Sequence, residues 1–422
     1  MAKTIAEKIF SKKSGQDVKA GDVVVATVDY VLTNDASGPL AIDFFHKMQE
    51  TRVERPDHVI AVLDHYVPCP NRKVAGLQQM LYDFRDKYGI RVEQAGEGIA
   101  HQVFDELGCV FPGALLVGGD SHTTTHGYLG CLGIGIGASD LACAMASGEL
   151  WFRVPETIHV VLNGKPAPGI SGKDIALWLL SQLGGDGANY QSLEFGGSGL
   201  SYLSMDDRKT ICNLGAECCA KCAVMPIDDV ARAYCLQRGI PLDQVVESDL
   251  DCTYCKTITV DLAQVPPMVA LPHSADHACP LSEQAGMPVD MVVIGTCTNG
   301  RISDFEAVDA VLQSCSGPFQ TETLVIPASR TIYREMLTRG YAARLLERGA
   351  MILPPSCGPC CGSSPGVPRD GLRVVSTANR NFLGRMGNAS ADIYLTSPAV
   401  AAATALRGCL TDPKELMEHV SV

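Results

Sequence analysis

The run M-V-V-I-G-T-C-T-N-G-R, residues 291–301, decides how this chain is read. Val292, Val293, Ile294 and Gly295 form a short apolar stretch of the kind a parallel sheet buries, and the chain turns at once into polar residues around Cys297. A second run repeats that grammar. Ala350, Met351, Ile352 and Leu353 are followed by two prolines and then by S-C-G-P-C-C-G at 356–362, which holds Cys357 and Cys360. Loops that leave buried strands are where α/β folds place ligands, so thiols from two such loops can converge. Three thiolates can hold three irons of a four-iron cluster and leave the fourth open. An open iron is a Lewis acid, which points to chemistry rather than electron transfer.

The same pattern extends outward from these runs. V-V-V-A-T-V at 23–28, H-V-I-A-V-L at 58–63, I-H-V-V-L-N-G at 158–164 and L-V-I-P at 324–327 read as strands, while 74–87 and 139–152 read as helices. The expected fold is α/β: three domains of mixed or parallel sheets flanked by helices around a central site, at 1–150, 151–285 and 286–422. The breaks are placed near 151–156 and in the Pro/His-rich stretch 266–280. No apolar run is long enough to span a bilayer, so no membrane partner is expected.

Composition narrows the classes further. The chain has 18 Cys and opens with M-A-K-T-I-A-E-K-I-F-S-K-K, which has alternating charges and no apolar core of a secretory signal. A reducing, cytoplasmic setting is expected, where cysteine spacing signals metal or redox chemistry rather than disulfides. Isolated cysteines such as Cys131, Cys143 and Cys409 read as small buried hydrophobes. Cys219/Cys222 and Cys252/Cys255 form C-x-x-C pairs that compete as a structural zinc site, although the gap between them exceeds that of common zinc knuckles. The net charge of −13 disfavours nucleic acid as a partner. The glycines of G-C-L-G-I-G-I-G-A-S-D at 130–140 lack a dinucleotide fingerprint and predict close packing at a helix N-terminus.

Polar motifs also pair acids with histidines. Asp64-His65 ends one apolar run, Asp120-Ser121-His122 follows another, His101 lies in G-E-G-I-A-H-Q, and Glu217 lies in C-N-L-G-A-E. A carboxylate fixes an imidazole's tautomer and raises its basicity, which makes a proton donor or acceptor. S-T-A-N-R-N-F-L-G-R at 376–385 carries Asn379, Arg380 and Arg385, with two guanidiniums able to hold a carboxylate.

Taken in order, D-H-Y-V-P (64–68), G-E-G-I-A-H-Q (96–102), G-G-D-S-H-T-T-T-H-G (118–127), C-N-L-G-A-E (212–217), I-G-T-C-T-N-G-R (294–301), S-C-G-P-C-C-G and S-T-A-N-R-N-F-L-G-R run along nearly the whole chain. This constellation resembles the aconitase superfamily of iron–sulfur hydro-lyases, nearest the large subunit of the two-subunit isopropylmalate dehydratase and homoaconitase group. The resemblance implies that Cys297, Cys357 and Cys360 ligate a [4Fe–4S] cluster, one per subunit. It implies that Asp64/His65, Asp120/His101 and Glu217/His122 are the carboxylate–imidazole pairs around the substrate. Ser121, Asn379, Arg380 and Arg385 would contact substrate, with Asn213 and Asn299 near the cluster. The implied reaction is dehydration and rehydration of a small hydroxy-dicarboxylate, with His65 protonating the departing hydroxyl.

Two departures from the pattern matter. Single-chain members carry the base, a serine, in a swivelling domain near the C-terminus. Nothing after the alanine-rich stretch here resembles it, which implies a small subunit that brings both. Where isopropylmalate and homoaconitate enzymes usually show His followed by an acid, this chain has Thr33-Asn34-Asp35-Ala36-Ser37. Asn34 would then hydrogen-bond substrate without titrating. That leaves room for dimethylmalate or citramalate beside isopropylmalate, while the group resemblance keeps homoaconitate as a further alternative. An RNA-binding regulatory relative is the remaining alternative, disfavoured by the acidic charge.

Overall fold

The computed structural model describes residues 2–417. Its first sheet is five-stranded and parallel, in the order Arg91–Glu93, Val59–Val62, Tyr30–Asn34, Leu115–Gly118, Leu132–Gly135. The second is four-stranded and parallel: Cys222–Val224, Ser192–Gly196, Thr157–Asn163, Lys256–Asp261. In the seven-stranded third sheet, Asp392–Thr396, Arg373–Ser376, Met291–Gly295, Glu322–Ile326 and Met351–Ile352 run parallel. Met268–Ala270 and Ala278–Pro280 add an antiparallel edge to it. The chain matches the expected α/β architecture of parallel sheets flanked by helices.

The strand runs are apolar on both faces because helices cover both faces. Val59–Val62, Leu115–Gly118 and Met291–Gly295 are buried at every position. One continuous core joins Leu32 and Ile60 of the first sheet, Ile158 of the second and Val293 of the third. Each such side chain contributes about 1.5–3 kcal/mol by leaving water. The sheets are therefore welded at their centre, and the loops between them inherit that rigidity.

Local expectations need three adjustments. The helix read over 139–152 spans only Ala138–Ser147, because Gly148 takes a left-handed φ of 70° and ends it. The chain then forms the strand Glu149–Arg153, antiparallel to Val23–Thr27. That ribbon leaves Val23 and Val25 exposed, so the V-V-V run is half solvated. The seven-stranded sheet reaches back to Met268–Ala270, within the Pro/His-rich stretch 266–280. Cys131 is buried as expected, but Cys143 is exposed and Cys409 half-buried, since each lies on a surface its sequence neighbours do not reveal. Of the glycines at 130–137, Gly133 in the strand packs close, a Cβ there standing 2.1 Å from the Thr123 carbonyl oxygen, whereas Gly137 at the start of the helix Ala138–Ser147 has open space around it. No helix among the described residues is long and apolar enough to cross a membrane.

Candidate active site

Sequence-distant loops meet at the C-terminal ends of strands. Val59–Val62 delivers Asp64 and His65, Leu115–Gly118 delivers Asp120, Met291–Gly295 delivers Cys297, Met351–Ile352 leads to Cys357, and Arg373–Ser376 leads to Asn379. The first and third sheets are stitched together directly. The Cys357 backbone N–H donates to the Asp64 carbonyl at 2.9 Å, and the Ser364 hydroxyl donates to the His65 carbonyl. His65, His101, Asp120 and His122 line one small cavity with Cys297, Cys357, Cys360, Cys361, Asn379 and Arg385.

Each acid–imidazole pair closes in space. Asp64 is fully buried; one oxygen accepts from His65 Nδ1 at 2.6 Å and the other from the Ala100 N–H at 2.7 Å, which also starts the helix carrying His101. Asp120 is the hub. Its Oδ1 lies 3.2 Å from His101 Nε2 and 3.3 Å from His122 Nδ1 and accepts from the His122 N–H at 2.8 Å, while Oδ2 lies 3.6 Å from His65 Nε2. Glu217 Oε1 sits 2.8 Å from His122 Nε2. Electrostatics follow the geometry. Burial alone would lower the His65 imidazolium, but the Asp64 carboxylate, its hydrogen bond and Asp120 hold it well above its ordinary value. Burial would raise Asp120, yet hydrogen bonds from His101 and His122 hold its carboxyl well below the usual range. Glu217 is lowered likewise, against burial, by His122 and Arg380.

The thiols are buried and surrounded by donors. Asn379 Nδ2 lies 3.3 Å and Asn213 Nδ2 3.6 Å from Cys297 Sγ; Arg385 Nη2 lies 3.8 Å from Cys360 Sγ. Cys357 Sγ stands 3.8 Å from Asp64 Oδ2 and 3.9 Å from His65 Nδ1. Burial pushes the Cys297 thiol up to about 12, so a metal must displace its proton. The three thiols are not all within 4.8 Å of one another, as donors to a single ion would be; only Asp64, His65 and Cys357 form such a compact group among the described residues. Thiolates that each hold their own iron stand further apart, so this spacing fits a multi-iron centre. Arg385 Nε, buried without a partner, is a second sign that an acceptor belongs here.

Other residues expected at the site sit differently. Arg380 Nε is bound to Glu217 Oε1 at 2.8 Å, so the two arginines do not form a free clamp. Ser121 is exposed and faces a neighbouring open cleft with Gly137 and Lys221. Asn34 does not line the cavity: its Oδ1 accepts from the N–H groups of Ala36 and Ser37 at 3.0 and 2.9 Å and shapes the turn. Asn299 is buried nearby and donates to Asp304 at 2.9 Å. Two positioning residues lie inside stretches quoted above, Asp35 in 33–37 and Arg301 at the end of 294–301, where the letters alone assign them no role. Asp35 accepts from the N–H groups of Asp64, His65 and Tyr66 at 3.2, 2.9 and 3.2 Å and so holds the His65 loop. Arg301 donates to the Cys297 and Thr298 carbonyls at 2.8 and 2.7 Å, clamping a turn in which Thr296 takes a left-handed φ of 69°.

Comparison with known proteins bears on the chain as a whole. The profile of the Aconitase family (aconitate hydratase) matches residues 7–288 and 282–408. The 3-isopropylmalate dehydratase large subunit 1 of Thermotoga maritima is 43% identical over 420 residues, covering 99% of this chain and 100% of that protein. The protein of the same name from Methanopyrus kandleri is 41% identical over 415 residues, covering 98% and 99%. The 3-isopropylmalate dehydratase large subunit of Clostridium kluyveri is 40% identical over 420 residues, covering 99% and 100%. Among solved structures, Thermococcus kodakaraensis aconitase X in its holo-form superposes with a TM-score of 0.54 at 14% identity, over 99% of this chain and 100% of that one. That last likeness concerns the fold alone.

Proposed function

The chain belongs to the aconitase family, and from that premise we propose that it is the large, cluster-binding subunit of a hydro-lyase that interconverts 2- and 3-isopropylmalate, a step of leucine biosynthesis. One observation carries the reading: three buried cysteines and three imidazoles, each paired with a carboxylate, line a single cavity. Full-length relatives named as large subunits of 3-isopropylmalate dehydratase support both the substrate and the need for a small subunit.

Cys297, Cys357 and Cys360 would hold a [4Fe–4S] cluster, which when bound supplies a Lewis-acidic iron for a substrate oxygen. His65, held toward its protonated form by Asp64, would give its proton to the departing hydroxyl. Asp120 holds His101 and His122 in fixed orientation about the same space. Arg385 and Asn379 offer donors to a substrate carboxylate, and Arg380 can join them by leaving Glu217. Ser121, on the neighbouring cleft, would reach substrate from that side. The small subunit contributes the swivelling domain and the base that removes the carbon-bound proton.

The test is the chain reconstituted anaerobically with iron and sulfide, then assayed with and without the small subunit on isopropylmalate, homocitrate, dimethylmalate and citramalate. Turnover by the pair alone, with the highest kcat/KM on isopropylmalate, is expected. A higher value on another acid reassigns the substrate, and full activity from the large chain by itself rejects the missing base.

A further inference from the structure

Lys173 takes no part in the site as described, yet the fold holds it where a lysine is costly twice over. It is fully buried. It also lies in the first turn of the helix Gly172–Leu183, where the helix dipole opposes a cation. Among the described residues, no carboxylate comes within 4.0 Å of its Nζ. The acids whose fields reach it are committed elsewhere. Asp174 accepts from the Ser171 and Met268 N–H groups, each at 3.0 Å, and Asp304 accepts from Asn299 Nδ2 and the Arg301 N–H, each at 2.9 Å. The groups that Nζ does touch are neutral: it donates to the carbonyls of Thr377 and Ala378 at 2.7 and 2.5 Å.

Those carbonyls belong to the turn that serves the thiols. Asn379 follows them directly and reaches Cys297 Sγ. The Thr377 hydroxyl accepts from the Gly295 N–H at 2.8 Å and donates to the Gly295 carbonyl at 3.1 Å, tying this turn to the one that presents Cys297. Burial pulls the ammonium down to about 7, against Asp174, Asp304 and the thiolates of Cys297 and Cys360. A buried cation without a carboxylate partner calls for another source of negative charge. Three thiolates and the bridging sulfides of a cluster bring that charge to the neighbouring turns.

We propose that Lys173 is the built-in countercharge of the iron–sulfur cluster, held by the Thr377 and Ala378 carbonyls and fixing the turn that carries Asn379. It is a positioning residue, since it acts through that turn and through its field. The inference rests on the cluster reading given above and adds an electrostatic consequence. A cation near the cluster favours its more negative, reduced form, so removing the cation must lower the midpoint potential.

The experiment compares the anaerobically reconstituted chain with Lys173→Met, Lys173→Gln and Lys173→Arg, measuring bound iron and sulfide, visible absorbance and the midpoint potential. Iron and sulfide on the unmutated chain are read first, and their absence there defeats the cluster reading rather than the role of Lys173. With clusters bound, the Met and Gln variants should shift the reduced-to-oxidised ratio about tenfold toward oxidised, about 59 mV for a one-electron couple. The Arg variant should stay near the unmutated value. If the Met variant does not fold, Gln carries the test, because its amide still offers a neutral donor to the same carbonyls. Unchanged potentials in the neutral variants, or an Arg variant displaced as far as Gln, overturn the proposal.

Discussion

At the scale of single residues, the site depends on carboxylates that cannot relax. Asp64 is fully buried and spends both oxygens, one on His65 and one on the helix that carries His101. Its charge is the largest influence raising the His65 imidazolium. A proton donor with a raised pKa works below that value and fails as pH climbs through it. Asp64→Asn removes the raising charge, so the alkaline limb of kcat/KM should move to lower pH in the reconstituted pair. The kcat should also fall about 10²–10⁴-fold, the usual weight of one acid–base group. An alkaline limb that stays in place would assign the proton to another residue. The pairing itself was readable as adjacent letters, D-H at 64–65. Asp35 was not, because the backbone N–H donors it accepts from lie 29 to 31 residues away in sequence and only parallel pairing of Tyr30–Asn34 with Val59–Val62 brings them to it.

At the scale of elements, placement depends on close backbone approach. The segment Ser121–Leu129 carries His122 and His126 and lies against the strand Cys222–Val224, with the Met225 N–H donating to the Gly127 carbonyl at 2.9 Å. A Cβ on Gly127 would stand 1.5 Å from the Ala223 carbonyl oxygen, a clash with backbone that no rotamer relieves. Gly127→Ala should therefore cost about 2–3 kcal/mol, the upper part of the usual overpacking range, and lower activity by moving His122 from Glu217. Urea unfolding and kcat measure the two effects, and an unchanged midpoint would show that the segment yields at little cost. Apolar runs revealed the buried strands of the first and third sheets, because both faces of such strands are covered. The reading of 139–152 as one helix failed at Gly148: the apolar residues continue past it, but a left-handed turn interrupts them.

At the scale of the whole molecule, an acidic chain of net charge −13 has to gather anionic substrate through local groups, a role the proposed function gives to Arg385, Arg380 and the imidazoles. It also has to hold three thiols from two loops around one centre. Cys357→Ser should abolish the broad visible absorbance of the reconstituted chain together with activity in the pair, while the fold, measured by far-UV circular dichroism, stays intact. Half-buried Cys361 lines the same cavity, so a retained spectrum in that variant would name it as the ligand instead.

The amino-acid sequence alone determined the α/β class, the residue types of the site and the family, because these are written in local runs and in motifs whose letters are adjacent. Tertiary structure alone decided that Asp120 serves three imidazoles and that Arg380 rests on Glu217. It alone turned Asn34 to its own turn and set the buried Lys173 ammonium on the Thr377 and Ala378 carbonyls. Those outcomes depend on which strand ends face one another across a shared core, a property of packing between distant segments that no local pattern carries.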